Sequence, residues 1–361
     1  TCWLVQTEDF VNASEMFTHE YAYFSSYSSS FLNHTKEYVD KMVSKFSLDE
    51  NSSVLEVASN DGYLLNFVKK LNIKCLGVEP TKSTADVARS KGLEIIGDFF
   101  STNLAKKIAK DKNTVDLAIA NNVLAHVPNI NDFVKGFYEI LNPEGVATFE
   151  NPHLLELANG KQFDTIYHEH FSYLSLTSVN EIFKNNGLTI FDVEKIPVHG
   201  GSLRYYAQKS DTGRRFISKR VNALLKEERD AGLTNLDFYR NFQKVAESIR
   251  DEFKNFLIEQ KNNGKLIAGY GAAAKGNTLL NFCNISKALL QFIVDKNPMK
   301  QGLYCPGSKI PILDEKKIRE EKPDFIVIFP WNIKDEIIDQ LKFTKKWGCK
   351  FVVAIPSLSI I

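Results

Sequence analysis

From Val54 onward the chain alternates short apolar runs with amphipathic stretches. Val54-Leu55-Glu56-Val57, Lys74 to Val78, Leu93 to Asp98, Leu117 to Ala120 and Gly145 to Glu150 read as strands, with helical-period segments between them. Strands alternating with helices at this spacing predict a parallel sheet with right-handed crossovers. Ahead of them, the aromatic-serine run Tyr21 to Phe31 leads into an amphipathic helix over Asn33 to Phe46. A charged helical connector follows from Arg215 to about Asn263. A second strand–helix alternation then begins, with strands Lys265 to Gly269, Leu290 to Val294, Phe325 to Phe329 and Phe351 to Ala354. The expected fold class is α/β: a doubly wound Rossmann-like sheet followed by a smaller Rossmann-like α/β lobe. The expected division is an aromatic arm over 1–50, the main sheet domain over 51–214, and connector plus second lobe over 215–361.

The bulk numbers narrow the partners. In 361 residues, Lys+Arg (45) and Asp+Glu (44) nearly cancel, giving a net charge of +1. That balance gives no electrostatic reason for nucleic acid or an anionic membrane as the main partner. No apolar run is long enough to span a bilayer, and no signal peptide opens the chain. The five cysteines are odd in number and scattered, which suits reduced thiols in a cytoplasmic protein. Without a repeat or coiled coil, a monomer is expected.

The turn after the first strand reads Glu56-Val57-Ala58-Ser59-Asn60-Asp61-Gly62, followed by Tyr63. Ligands of open parallel sheets bind beyond the carboxyl ends of the strands, and small residues there let backbone approach them closely. Glu79 ends the next strand roughly twenty residues on, where an acid can accept from ribose hydroxyls. Asp98 can receive the exocyclic amine of adenine, with Phe99 covering the ring. Asn121, near the end of the fourth strand, can contact an amino-acid portion. The turn has no Lys and does not match GxGxxG, so it is poorly made for a pyrophosphate. A nucleoside carrying an amino acid and no phosphate fits better, and S-adenosylmethionine is such a ligand.

Several motifs run in a shared order: YFSSYSSSF (Tyr23 to Phe31), LEVASNDGYLL (Leu55 to Leu65), GVEP (Gly77 to Pro80), ANNVLAHV (Ala120 to Val127), YHEHFSYLS (Tyr167 to Ser175) and HGGSLR (His199 to Arg204). GYGAAAKGNTLLN (Gly269 to Asn281), VDKNPMKQG (Val294 to Gly302) and PWN (Pro330 to Asn332) complete the set. On these motifs the chain resembles the S-adenosylmethionine-dependent sugar C-methyltransferases, which act on nucleotide-linked 4-keto-deoxysugars. The resemblance implies a dTDP-linked sugar substrate and a second lobe that helps hold it. Two departures stand out. The family usually opens with a four-cysteine zinc module, of which only Cys2 remains; upstream residues are expected to be missing. A lone thiol cannot hold structural zinc, so no metal is expected. The other departure is Ala58, where the family more often has Gly; Ala is easily accommodated unless φ is positive.

Carbon methylation beside a ketone needs a base for the α-proton and a group to tolerate the enolate oxygen. Tyr167-His168-Glu169-His170 is dense in such groups. Imidazole, with an ordinary pKa near ~6.5, suits a base at neutral pH. The resemblance implies His170 as base, with Tyr167 and Glu169 supporting it, and His126 near the sugar. His199, Gly201 and Arg204 combine a close-approach loop with a cation able to clamp phosphate; a glycine hairpin with a solvated Arg is the plainer reading. Lys275 and Asn277 sit where a strand turns into a helix, an anion-binding arrangement. Tyr23, with Tyr21 and Tyr27, can stack on a sugar or adenine. Two other classes stay open: an NAD(P)-dependent oxidoreductase using GYGAAAKG, and a non-catalytic sugar-nucleotide binder. The first lacks the three-glycine fingerprint; the second has no need of YHEH.

Overall fold

The computed structural model describes residues 2–8, 12–18 and 24–361. The chain divides into two compact units, Thr1–Leu155 with His168–Thr234, and Glu156–Tyr167 with Asn235–Ile361.

The first unit is built on strands β1 (Ser53–Val57), β2 (Lys74–Val78), β3 (Ile95–Ile96), β4 (Val115–Asn121), β5 (Leu141–Pro152), β6 (Leu188–Ile196) and β7 (Ser202–Lys209). They lie in the order β3-β2-β1-β4-β5-β7-β6, parallel except for β7, which runs antiparallel to both neighbours. The order reverses between β1 and β4, which opens a ligand crevice beyond their carboxyl ends. Helices cover both faces, which is why Leu55, Val57, Ala118 and Ala120 are buried in near-continuous apolar runs. Helix α1 (Ser29–Phe46) starts where the Ser28 hydroxyl accepts from the Phe31 amide and ends at Ser47 with φ 53°. It buries Tyr38, Val39 and Met42 with Leu65 and Val68 of α2 (Leu65–Lys70). Helices α3 (Lys82–Ser90), α4 (Thr102–Lys112), α5 (Ile130–Ile140), α6 (Leu176–Asn185) and α7 (Lys219–Ala231) complete the unit.

The unit boundary differs from the sequence expectation. Helix α7 belongs to the first unit, although its charge pattern reads as connector. Val221 and Leu224 enter the sheet core. Fully buried Glu228 accepts from His153 Nε2 at 2.7 Å and from the Leu176 and Thr177 amides at 2.6 and 2.7 Å. An acid at the amino end of α6 also meets the helix dipole favourably. Residues 156–167, expected in the main domain, pack in the second unit instead.

The second unit has strands β8 (Ile267–Tyr270), β9 (Phe292–Val294), β10 (Ile312–Leu313), β11 (Phe325–Ile328), β12 (Lys350–Val353) and β13 (Ser359–Ile360). Their order is β10-β9-β8-β11-β12-β13, with only β13 antiparallel. Helix α8 (Phe242–Asn262) packs Ile249, Phe253, Phe256 and Leu257 into its core, and α9 (Ala274–Phe282) follows β8. Among the described residues, no helix is long and apolar enough to cross a membrane.

Candidate active site

The cofactor turn leaves β1 through a backbone that L-residues resist. Ala58 has φ 57°, Asn60 48° and Gly62 76°. The positive φ at Ala58 makes this departure from the family's Gly a strained one, of about 1–2 kcal/mol. Gly62 is required on two grounds. Its φ is positive, and a Cβ there would stand 2.3 Å from Leu93 Cδ1 and 3.2 Å from Ala88 Cβ. Glu79, 4% exposed, anchors the turn by accepting the Asn60 and Thr81 amides, both at 2.9 Å. Two backbone partners occupy part of its acceptor capacity and leave room for ribose hydroxyls, since an ionised carboxylate has about four lone-pair sites. Asp98 and Phe99 are exposed after β3, with the Asp98 carboxylate accepting the Phe99 amide at 2.8 Å.

The crevice floor is lined by polar atoms that the protein does not satisfy. Ser59 Oγ, Asp61 Oδ1, Asn121 Oδ1 and both amide atoms of Asn122 are buried without a hydrogen-bond partner. Burial pushes the Glu56 carboxyl well above the usual carboxylate range; the Tyr63 hydroxyl opposes this, while Glu79 and Asp61 add to it. Ser59, Asp61 and Asn122 were not singled out as ligand-facing residues from the sequence. Their place in the turn and beside Asn121 was visible, but their unmet hydrogen bonds were not. Such a set fits a small polar ligand of the kind the turn predicts, because buried polar groups are normally paired.

The aromatic-serine segment meets this turn. The Ser25 amide donates to Asn60 Oδ1 at 2.9 Å and the Ser26 hydroxyl to Asp61 Oδ2. Phe31 stacks on Tyr63 at 5.3 Å and meets the His199 ring at 5.8 Å. Tyr23 and Tyr21 lie outside the described residues. His199, with φ 53°, begins the tight connection from β6 to β7, where Gly200 and Gly201 have φ 87° and 109°. HGG thus forms a glycine hairpin, but the Arg that follows it is buried rather than solvated.

Arg204 is corrected. A phosphate clamp must face solvent, yet Arg204 is 4% exposed. The β-register sets it directly opposite Glu150 on one side and Glu194 on the other. Its Nε donates to Glu150 Oε1 at 2.6 Å and its Nη1 to Glu194 Oε2 at 3.3 Å. Glu150 also meets His34 Nε2 at 2.9 Å. These partners hold the Glu150 carboxyl below its ordinary range despite the opposing effect of burial.

The structure brings two of the predicted chemical groups together in the first unit. His126, in the turn after β4, lies with its ring centroid 4.8 Å from that of His170, edge to face. Burial drops the His126 pKa to about 4, only partly opposed by the Glu169 backbone. At neutral pH His126 is therefore an uncharged imidazole. His170 is half-buried, Tyr173 flanks it at 6.2 Å, and its carbonyl accepts from Thr7 Oγ1 at 3.0 Å. Glu169 is also half-buried, and Tyr167 is half-buried within the second unit.

In the second unit, β8 turns through Gly271 (φ 87°) into α9. Gly276 permits close packing, since a Cβ would lie 2.9 Å from Phe329. Lys275 Nζ donates to Asn332 Oδ1 at 2.7 Å and sits 4.5 Å over the Trp331 ring. Asn277 Oδ1 is buried without a partner. Asp295 and Lys300 of VDKNPMKQG brace the loop: Ala272 donates its amide to Asp295 at 2.8 Å and accepts from Lys300 at 2.9 Å.

A family profile described as a methyltransferase domain matches residues 31–193, and one described as a C-methyltransferase C-terminal domain matches residues 197–356. The chain is 33% identical over 360 residues to C-methyltransferase NovU of Streptomyces niveus, covering all of this chain and 85% of that one. The chain belongs to the C-methyltransferase family, and it is an S-adenosylmethionine-dependent methyltransferase. The oxidoreductase and non-catalytic readings fall away. Among solved structures, PH0226 protein from Pyrococcus horikoshii OT3 is similar at 17% identity and TM-score 0.43, over 52% of this chain and 95% of that one. Magnesium protoporphyrin IX methyltransferase from Synechocystis PCC 6803, solved with bound SAH, is similar at 14% identity and TM-score 0.40, over 50% and 83%.

Proposed function

We propose that this enzyme methylates the carbon beside the ketone of a nucleotide-linked 4-keto-deoxysugar, with a dTDP-linked sugar as substrate. The observation that carries the reading is the His126–His170 pair. A buried imidazole with its pKa lowered to about 4 stands beside the predicted base and adds no positive charge that would lower the base's proton affinity. Glu56, Ala58, Asn60, Gly62, Tyr63, Glu79, Asp98, Phe99 and Asn121 are assigned to S-adenosylmethionine. When bound, it supplies an electrophilic methyl group on a sulfonium.

His170 takes the α-proton, leaving the electron pair on the enolate. Tyr167 donates to the developing enolate oxygen, and Glu169 orients the imidazole. A bound methyl donor would supply the methyl group to the α-carbon, and His170 would keep the proton until solvent removes it. Lys275 and Asn277, at the amino end of α9, take the diphosphate; His199 and Gly201 line the sugar side. Five free cysteines support a reducing, cytoplasmic setting.

The test separates proton abstraction from transfer. With dTDP-4-keto-deoxysugar in D2O and no methyl donor, the enzyme should exchange the α-proton, and His170→Ala should not. With ¹³C-methyl donor, carbon NMR should show a new C–CH3. An O-methyl signal, or exchange undiminished in His170→Ala, defeats the proposal.

A further inference from the structure

The second unit buries a carboxylic acid that takes no part in the proposed reaction. Asp164 is 1% exposed, in the 3-10 turn Phe163–Thr165 that leads into Tyr167. Its Oδ2 accepts from Trp331 Nε1 at 2.7 Å. An indole nitrogen is donor-only, and a carboxylate acceptor makes such a bond charge-assisted. Phe163 beside it meets the Phe282 ring of α9 at 5.0 Å. Trp331 in turn lies under Lys275, which bonds to Asn332. The turn that precedes Tyr167 is thus fastened to the same few residues that surround the Lys275 ammonium.

We propose that Asp164 is a positioning residue: through Trp331 it fixes the 163–167 segment, and with it Tyr167, to the loop that carries Lys275. The roles of Tyr167 and Lys275 in this inference rest on the function proposed above. Among the described residues, Lys275 is the charged group whose field reaches Asp164. Burial raises the Asp164 carboxyl to about 6, with Lys275 and the Trp331 hydrogen bond opposing. An anion neutralising Lys275 removes part of that opposition, so diphosphate binding should raise the Asp164 pKa further.

Trp331 reports on its partner directly. The chain has three tryptophans, so Trp331→Phe identifies the Trp331 signal. Indole fluorescence followed from pH 4.5 to 8 should change with a midpoint near 6. The change should vanish in Trp331→Phe and in Asp164→Asn. Added dTDP should move the midpoint upward in the parent protein. Absence of any titration assignable to Trp331, or a midpoint indifferent to dTDP at saturating concentration, overturns the coupling whether or not methyl transfer is detected.

Turnover supplies the second arm. Asp164→Ala should lower kcat at least about tenfold, as small misplacements of catalytic groups do, with KM for S-adenosylmethionine within twofold. Asp164→Asn keeps an oxygen acceptor for Trp331 and should retain most of kcat. If the alanine variant does not fold, Trp331→Phe carries the same kinetic test. Equal losses in the Asn and Ala variants, or no loss in Ala, would show that Asp164 positions nothing.

Discussion

Replacing Arg204 with Met separates a structural cation from a substrate clamp. Glu150 is 1% exposed, and Arg204 supplies the permanent positive charge bonded to it. Removing one partner of such a buried pair destabilises by about 3–5 kcal/mol, because the remaining charge keeps its desolvation penalty. For a unit of this size, each kcal/mol moves Tm by about 2–4 °C, so the transition should fall by about 6–20 °C. The pH dependence has a defined sign. In the parent, Glu150 has a depressed folded pKa, so its stabilisation is present above the unfolded value and is lost as pH falls through the folded one. In Arg204→Met, burial dominates and the Glu150 pKa rises, so the deficit should be largest at neutral pH and shrink on acidification. Glu150→Gln with Arg204→Met should recover part of the loss. Differential scanning calorimetry from pH 4 to 8, with KM for the sugar nucleotide measured well below the new Tm, checks both sides. An unchanged Tm with a KM raised tenfold or more would return Arg204 to the phosphate.

Three further expectations follow from single positions. Ala58→Gly relieves the φ of 57° and should raise stability by about 1 kcal/mol, read as Tm, with S-adenosylhomocysteine affinity within twofold. His126 is depressed to about 4, so its neutral form stabilises the fold fully above the unfolded pKa of about 6.5. That contribution, about 3 kcal/mol in all, is lost as pH falls from there toward 4. His126→Phe should flatten this acid limb in urea melts, and an unchanged limb would show that His126 does not carry it. Glu228→Gln removes the charge that pairs His153 and caps α6, and should destabilise the first unit by about 3 kcal/mol by calorimetry.

The parallel strands were legible because burial on both faces leaves near-continuous apolar runs such as Leu117 to Ala120. The hairpin β6–β7 was not. Its sequences, LTIFDVEKI and SLRYYAQK, carry Asp192, Glu194 and Arg204 inside the strands. Glu194 and Arg204 are tolerated because cross-strand register pairs them, and Asp192 because Lys45, Ser218 and Arg220 bond it; neither pairing is written in one strand's pattern. The same blindness produced the phosphate reading of Arg204: two glycines near it suggest an open loop, while its partners are Glu150 on a strand distant in sequence and Glu194 across the hairpin. Helix α7 was misplaced for a related reason. Its exposed face is highly charged, and the Glu228 that fixes it to the first unit looks like any other surface acid. The cofactor turn was read as a close-approach turn from its small residues, but the strain at Ala58 required a dihedral angle.

Buried polar groups of the first sheet differ in how densely they are paired, and the difference bears on where a ligand sits. Across β5, β7 and β6, Arg204 bonds both Glu150 and Glu194; at the amino end of α6, Glu228 takes His153 and two amides. At the ends of β1 and β4, Ser59, Asp61, Asn121 and Asn122 carry buried atoms with no partner. Leaving a buried polar group unmade costs roughly 1–3 kcal/mol, so several together in one crevice form a substantial local destabilisation. Asn151 Oδ1 and His153 Nδ1 are also unpartnered elsewhere in the unit, but singly, whereas at this turn several such atoms lie together. Their concentration where strand order reverses is therefore the mark of a polar ligand that completes them. The choice among ligands then rests on what the turn lacks: with no Lys and few glycines, it suits a zwitterionic amino acid on a nucleoside rather than a diphosphate.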